Sequence, residues 1–232
     1  MTGRTVVVTG AFGALGSVVA AQAARQGEVV VAIDHAPEPP QEGAGLVGAR
    51  GVILSGVDLT DEAAAVRAIE SAKARTGRID VLINIAGGFA WRTVQDADAA
   101  LWERMWALNV RTALNASRAA LAHLIASGEG RIVNVGAAAA VKAAAGMGAY
   151  AASKSGVARL TESLADELKG RGVTVNAVLP SIIDTPANRA DMPEADHGRW
   201  VAPADLAAVI LFLASREAKA VTGALVPVIG GM

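Results

Sequence analysis

Tyr150 and Lys154 have the residue types and the spacing of a proton-transfer pair. They are four positions apart in a segment, residues 149–170, that is predicted to be helical. Residues four apart on a helix share a face. A nearby ammonium favours the phenolate, so the tyrosine pKa should fall from its reference value of about 10. Such a phenol could exchange a proton with a bound substrate. The alternative is a core tyrosine beside a surface lysine.

A glycine-rich stretch, TGAFGALG at 9–16, follows an apolar run and opens a predicted helix. Gly10 would allow a sharp turn, Gly13 would let the backbone approach a pyrophosphate, and Gly16 would let helix and strand pack. Free N–H groups at the helix N-terminus would bind the phosphates. The pattern indicates a dinucleotide site that includes Gly10, Phe12, Gly13, Ala14, Leu15 and Gly16.

Asp34 follows the second apolar run, 18 residues after Gly16. That spacing is typical of the acid that binds an adenosine ribose, and a carboxylate there would repel a 2′-phosphate. The sequence therefore favours NAD(H) over NADP(H), although Asp34 could be a solvated acid at a strand end. Asp58, with Leu59, could contact the adenine or could begin a turn.

Nearly continuous hydrophobic runs alternate with helical patterns along the whole chain. Such runs are typical of parallel strands that are buried on both faces. We expect strands at 5–9, 28–33, 51–56, 81–85, 131–135, 173–179 and 224–229, and helices at 14–26, 61–76, 98–127, 149–170 and 203–215. The alternation predicts one doubly wound Rossmann α/β domain over residues 1–232, with about seven parallel strands and helices on both faces. The cofactor half is expected at about 1–95 and the catalytic half at about 96–232.

Composition excludes several other classes of function. The net charge of −1 and the absence of a basic run argue against a nucleic-acid partner. The chain has no cysteine, and its three histidines lack ligand spacing, so we expect no metal. Glycines at regular intervals interrupt the uncharged run at 5–24, which argues against a membrane span or signal peptide. A cytoplasmic protein is expected.

These motifs, in this order, resemble those of the short-chain dehydrogenase/reductase family along the entire chain. The resemblance implies that Tyr150 is the general acid or base, that Lys154 binds the nicotinamide ribose, and that Asn109 relays protons through water. The implied cofactor contacts also include Asn84, Ala86 and Gly87 after the fourth strand, and Pro180, Ile183 and Thr185 after the sixth.

The family usually keeps a serine at or beside the position of Ala137, where its hydroxyl would stabilise a developing oxyanion. Losing one such donor typically costs about a hundred- to a thousandfold in rate. Either activity is lost, or the substrate is so electrophilic that one donor suffices. Ser181, which replaces a usual glycine, is the first candidate for a substitute donor.

One branch of the family, dihydropteridine reductase, lacks this serine and reduces quinonoid dihydropterin with NADH. This chain resembles that branch in the stretches AGGFA at 86–90, GAAAA at 136–140, GM at 146–147, DTPANR at 184–189 and MPEAD at 192–196. The resemblance implies a substrate pocket that includes Ala137, Met147, Phe89, Trp91 and Asn188.

Residues 185–200 are expected to form a mobile lid over the substrate. The family pairs helices 98–127 and 149–170 across a dimer axis, so a homodimer or homotetramer is expected, and Trp102 and Trp106 could belong to the core or to that interface. The leading hypothesis is an NADH-dependent reductase of an electron-poor small molecule, most like dihydropteridine reductase. A general ketone or 3-oxoacyl reductase, or alcohol dehydrogenase, and a non-catalytic NAD-binding sensor or scaffold are the alternatives.

Overall fold

The structure, a computed structural model, describes residues 3–39 and 43–231. Seven parallel strands form one sheet in the order β3-β2-β1-β4-β5-β6-β7. They are β1 (Thr5–Thr9), β2 (Val29–Ile33), β3 (Val52–Leu54), β4 (Val81–Asn84), β5 (Gly130–Val135), β6 (Val173–Pro180) and β7 (Leu225–Val228). The predicted doubly wound fold with seven parallel strands is confirmed.

Eight α-helices lie among the described residues. They are α1 (Ala14–Arg25), α2 (Gly43–Val47), α3 (Glu62–Thr76), α4 (Ala99–Trp106), α5 (Thr112–Ala126), α6 (Gly148–Glu167), α7 (Pro186–Asp191) and α8 (Pro203–Leu213). One apolar core packs α1 and α8 on one face of the sheet, and a second packs α3, α5 and α6 on the other. Continuous hydrophobic strands are needed because both faces are covered.

The strand order reverses between β1 and β4, where β2 lies on one side and β5 on the other. In open parallel sheets the crevice at such a reversal, beyond the carboxyl ends of the strands, is where ligands bind. Residues that follow β1, β2, β4, β5 and β6 therefore converge on one edge of the sheet.

The helix predicted at 98–127 contains an interruption. Between α4 and α5 the backbone forms a π-helical turn over Ala107–Arg111, which holds Asn109. Trp102 and Trp106 on α4 are 38% and 50% exposed, so they do not belong to the core. Both indole rings lie against α6, beside Gly148 and Gly156. Their place in a subunit interface stays a prediction.

Candidate active site

The glycine-rich loop joins β1 to α1. Gly10 has a φ of +63°, a conformation that glycine adopts without strain, and Gly13 is the residue at which α1 begins. A Cβ on Gly10 would lie 2.8 Å from the backbone of Ala86, and one on Gly16 would collide with the carbonyl of Gly10. The loop is thus held close to both α1 and the segment after β4, with the N-terminus of α1 at the strand-order reversal. Phe12, Ala14 and Leu15 complete the loop and first turn.

Asp34 lies at the end of β2 and ties this loop in place. Its carboxylate accepts hydrogen bonds from the N–H of Phe12 at 2.9 Å and of Ala36 at 3.0 Å. The acid is therefore beside the glycine loop, as its assignment to a ribose requires. The two bonds also give it a structural role that its spacing did not indicate.

Asp58 lies on an exposed turn before α3. Its carboxylate accepts bonds from the N–H and the hydroxyl of Thr60, and these bonds hold its pKa below the usual value. Asp58 therefore forms the turn that the sequence offered as the alternative to an adenine contact. Leu59 is buried, and its carbonyl accepts a bond from Asn115 at 2.9 Å.

Thr9, which the sequence interpretation missed, organises the segment after β4. Its buried hydroxyl accepts bonds from the N–H groups of Ile85 and Ala86, at 3.1 and 3.2 Å. The Asn84 side chain is buried and donates to Ser117 and Asn134. The side chain of Asn84 thus points into the fold, so only its backbone could contact a cofactor, whereas Ala86 and Gly87 lie on the cleft side.

The proposed catalytic residues meet between the π-helical turn and α6. The Asn109 amide pairs with Gly88, accepting from its N–H and donating to its carbonyl, both at 3.0 Å. Asn109 also donates to the Ser153 hydroxyl at 2.9 Å, and Ser153 donates to the Tyr150 carbonyl at 2.7 Å. This chain of bonds fixes the β4 loop to the first turn of α6. Ser153 was not predicted, although its place beside Lys154 offered a signal.

Lys154 is fully buried and donates from Nζ to the carbonyl of Val135 at 2.8 Å. Its Nζ lies 5.9 Å from the centre of the Tyr150 ring. Burial lowers the pKa of Lys154 to about 8 and raises the pKa of Tyr150 to about 12. The expectation that the lysine charge depresses the tyrosine pKa is wrong for the protein in this state, because burial favours the neutral form of both groups.

Ala137 is buried at the end of β5, directly before a 3₁₀ turn at Ala138–Ala140. It presents a methyl group where the family places a hydroxyl. A Cβ on the neighbouring Gly136 would lie 2.5 Å from the Cδ2 atom of Leu179 and 3.3 Å from the carbonyl oxygen of Val178. The backbone at this point is therefore packed against β6.

Two aromatic residues after β4 contact α6 or the segment before it. The Phe89 ring contacts the Tyr150 ring edge-on, with 4.9 Å between centres, and is 57% exposed. Trp91 donates from its indole to the carbonyl of Ala145 at 3.1 Å and covers Gly146, the residue before Met147. Trp91 thus fixes the loop that leads into α6, and Phe89 leaves a ring face available.

The segment after β6 contains a short helix and several local hydrogen bonds. Pro180 ends β6, Ile183 forms a bridge with Val201, and Thr185 caps α7 by accepting from the Asn188 N–H. The Asn188 amide donates to the carbonyl of Ile183 at 2.8 Å. Asn188 therefore stabilises the start of α7, and the mobility of residues 185–200 stays a prediction.

Ser181 does not supply the missing hydrogen bond in this arrangement. Its hydroxyl donates to the carbonyl of Ile229 at 3.0 Å, beyond the end of β7. Within residues 3–39 and 43–231, no cluster of His, Asp or Glu side chains could hold a metal ion. The same residues include no helix with the length and apolar character needed to cross a bilayer.

Comparisons with known proteins identify the family. The short chain dehydrogenase family profile matches residues 4–196. The chain is 34% identical to 2-(S)-hydroxypropyl-CoM dehydrogenase 3 of Xanthobacter autotrophicus, over 99% of this chain and 96% of that one. It is 31% identical to the 3-oxoacyl-(acyl-carrier-protein) reductase of Thermotoga maritima, over 100% and 98%. Carveol dehydrogenase from Mycobacterium avium, solved with NAD, superposes with a TM-score of 0.88 at 28% identity, over 100% of this chain and 98% of that one. The chain therefore belongs to the short-chain dehydrogenase family of nicotinamide-dependent oxidoreductases.

Proposed function

We propose that this enzyme is an NADH-dependent reductase of a flat, electron-poor acceptor, with Tyr150 as the only proton donor to it. A quinonoid dihydropterin is the first candidate acceptor. The observation that carries the proposal is the methyl group of Ala137, buried where the family's second hydrogen-bond donor stands.

Nearby hydroxyl groups do not replace that donor. Ser181 donates to Ile229, Ser153 to the Tyr150 carbonyl, and Ser155 to the Ala140 carbonyl. A ketone that develops negative charge on oxygen needs such donors, and loss of one costs about 3–4 kcal/mol. An acceptor that regains conjugation when it takes hydride develops less localised charge, so one phenol can serve it.

The aromatic wall supports a flat substrate. Phe89 is half exposed and lies edge-on to Tyr150, so a planar ring placed next to the phenol could pack against Phe89. Trp91 holds the segment before α6 through its bond to Ala145.

The chain's own residues would handle the cofactor and the proton. The N-terminus of α1 would bind the pyrophosphate, and Asp34 would bind the adenosine ribose and disfavour a 2′-phosphate. Lys154 would bind the nicotinamide ribose. A bound reduced nicotinamide supplies the hydride. Tyr150, which is held neutral by burial, then has the proton to give, and the bonds from Asn109 to Ser153 and from Ser153 to the Tyr150 carbonyl hold the backbone turn that carries it.

A second candidate is the interconversion of a secondary alcohol and a ketone. Two relatives support this candidate, because one is a hydroxypropyl-CoM dehydrogenase and the other is a 3-oxoacyl reductase. On this reading the substrate would carry its own electron-withdrawing group, which would offset the missing hydroxyl.

Steady-state NADH oxidation separates the two candidates. The purified enzyme is assayed with quinonoid dihydropterin, simple ketones, 2-ketothioethers and 3-oxoacyl thioesters, with a Tyr150→Phe variant as the blank for each acceptor. We expect kcat/KM for the pterin to exceed that for simple ketones by at least the hundredfold that a lost donor costs. Fast ketone turnover with no pterin turnover above the blank rejects the first candidate and supports the second.

A further inference from the structure

A cavity of about 400 Å³ opens at the edge of the sheet opposite the active site. It lies between the end of α6, the amino ends of β5 and β6, and the segment after α8. We call it the basic cavity, since its lining includes Arg131, Lys169, Arg216, Lys219, Glu129 and Thr174. Arg131 lies four residues before Val135 on β5, a distance of about 13 Å at the usual rise per strand residue.

Positive charge exceeds negative charge in the basic cavity. Four of the lining residues are cationic and one, Glu129, is acidic. Glu129 pairs with Arg216 at 2.8 Å, and Lys169 pairs with Asp166 just outside the cavity. Within the part of the chain that the structure describes, Arg131 and Lys219 have no carboxylate within ion-pair distance. The cavity therefore keeps about two uncompensated cations.

Two buried polar groups face each other across neighbouring strands at this edge. Arg131 on β5 and Thr174 on β6 are register partners, and they are 4% and 8% exposed. Arg131 donates from Nε to Ser215 and from Nη1 to Gly130. Burial lowers the pKa of this guanidinium, the neighbouring Arg4 and Arg216 lower it further, and Glu129 opposes them.

The Thr174 hydroxyl is buried and has no hydrogen-bond partner among the described residues. Native proteins rarely leave such a group unsatisfied, and a bound ligand or ordered water usually accounts for it. Guanidinium, ammonium and hydroxyl groups together are the donors that recognise phosphate. The volume exceeds that of a single phosphate ion and lies in the range of small-molecule sites.

We propose that the basic cavity binds the phosphate group of an anionic metabolite, at a site separate from the cofactor cleft. The Arg131 guanidinium and the Lys219 ammonium provide the charge, and Thr174 provides a hydroxyl. The alternative is that Arg131 has only a structural role and ties β5 to the end of α8. That role would account for its two bonds to carbonyl groups. It would not account for the unsatisfied hydroxyl.

Inorganic phosphate is the probe. Its binding is measured by phosphorus NMR line broadening at constant ionic strength, with NADH present in excess so that phosphate cannot bind at the glycine-rich loop. The variant is Arg216→Gln with Lys219→Gln, both exposed positions. The matched control is Arg67→Gln with Arg75→Gln, two exposed cations on α3. We expect saturable binding that weakens at least tenfold in the variant and is unchanged in the control.

Thr174→Val tests the site without a change of charge. Valine has the shape of threonine and removes a hydroxyl that has no partner, so the thermal midpoint should not fall. We expect phosphate binding to weaken severalfold. Absence of saturable binding in the presence of NADH, or equal weakening in the α3 control, would overturn the proposal. None of these outcomes bears on the acceptor that the enzyme reduces.

Discussion

Lys154 donates a 2.8 Å hydrogen bond from its ammonium group to the carbonyl of Val135, at the carboxyl end of β5. The lysine is buried, and the carbonyl is a neutral partner. The bond therefore fixes the position of the cation without neutralising it, and much of the cost of burying the charge remains.

This predicts a pH-dependent stability. Folding lowers the pKa of Lys154 from 10.5 to about 8. Between these values the unfolded chain holds a proton that the folded protein has lost, so stability rises with pH, by at most about 1.4 kcal/mol per pH unit. Urea unfolding of the wild type and of Lys154→Met, measured from pH 7 to 10, should give curves that diverge above about pH 8. Parallel curves would contradict the lowered pKa.

Tyr150 is the single tyrosine of the chain, so tyrosinate absorbance reports on it alone. We expect a rapid alkaline pH jump on the cofactor-free enzyme to show a midpoint near 12, because burial raises the pKa. Tyr150→Phe should abolish the signal, retain NADH binding and lose about a hundred- to ten-thousandfold in kcat. A midpoint at or below 10 would mean that the Lys154 charge outweighs burial.

Asp34 should control cofactor choice. Asp34→Asn removes the charge that would face a 2′-phosphate and keeps an oxygen for one of its two N–H partners. We expect the ratio of NADPH to NADH affinity to rise, measured by fluorescence titration. Asp58→Asn removes the same charge from the next strand end and serves as the control. An equal shift in both variants would show that the preference for NADH depends on the overall negative charge of the protein and not on Asp34 itself.

Ala137→Ser should restore a donor to the active site. The expected gain in kcat/KM for ketones has a ceiling of about a hundred- to a thousandfold, and a smaller gain is expected because the surroundings are not arranged for the hydroxyl. Pterin reduction should change little. Ala138→Ser, one residue further along, is the control. If Ala137→Ser left the rate of ketone reduction unchanged, the missing hydroxyl would not be what determines the choice of substrate.

Replacement of Gly146 should weaken binding of the acceptor. It has a φ of +77°, and a Cβ there would collide with the Trp91 ring. Gly77, at φ +82°, has no atom near its Cβ position. Alanine at either should cost about 1–2 kcal/mol of stability through backbone strain. Only Gly146→Ala should also displace Trp91, change its fluorescence and raise KM for the acceptor. Equal kinetic effects in the two variants would exclude a role for the Trp91 contact.

The sequence predicted the sheet well because burial on both faces produces continuous apolar runs. It missed α2, whose five residues carry no periodic signal. It also missed α7, although Thr185 followed by Pro186 is a typical beginning of a helix. Short helices held by tertiary contacts leave little periodicity to detect.

Motifs located the site, but they could not assign its internal bonds. Tyr150, Lys154 and Asn109 do meet, yet the Ser153 link and the Thr9 contacts depend on distances between segments. The tyrosine pKa was predicted in the wrong direction because the spacing reveals a neighbouring charge and not the depth at which both groups are buried.

The π-helical turn at Ala107–Arg111 makes the active site depend on the number of residues in one helix. One residue fewer in this turn would allow an unbroken α-helix from Ala99 to Ala126, and the wide turn that places Asn109 would be lost. The Asn109 amide would then leave Gly88 and Ser153, while every side chain type remained as before. Single-residue deletions, which substitution scans do not sample, are therefore the changes to which this helix should be most sensitive.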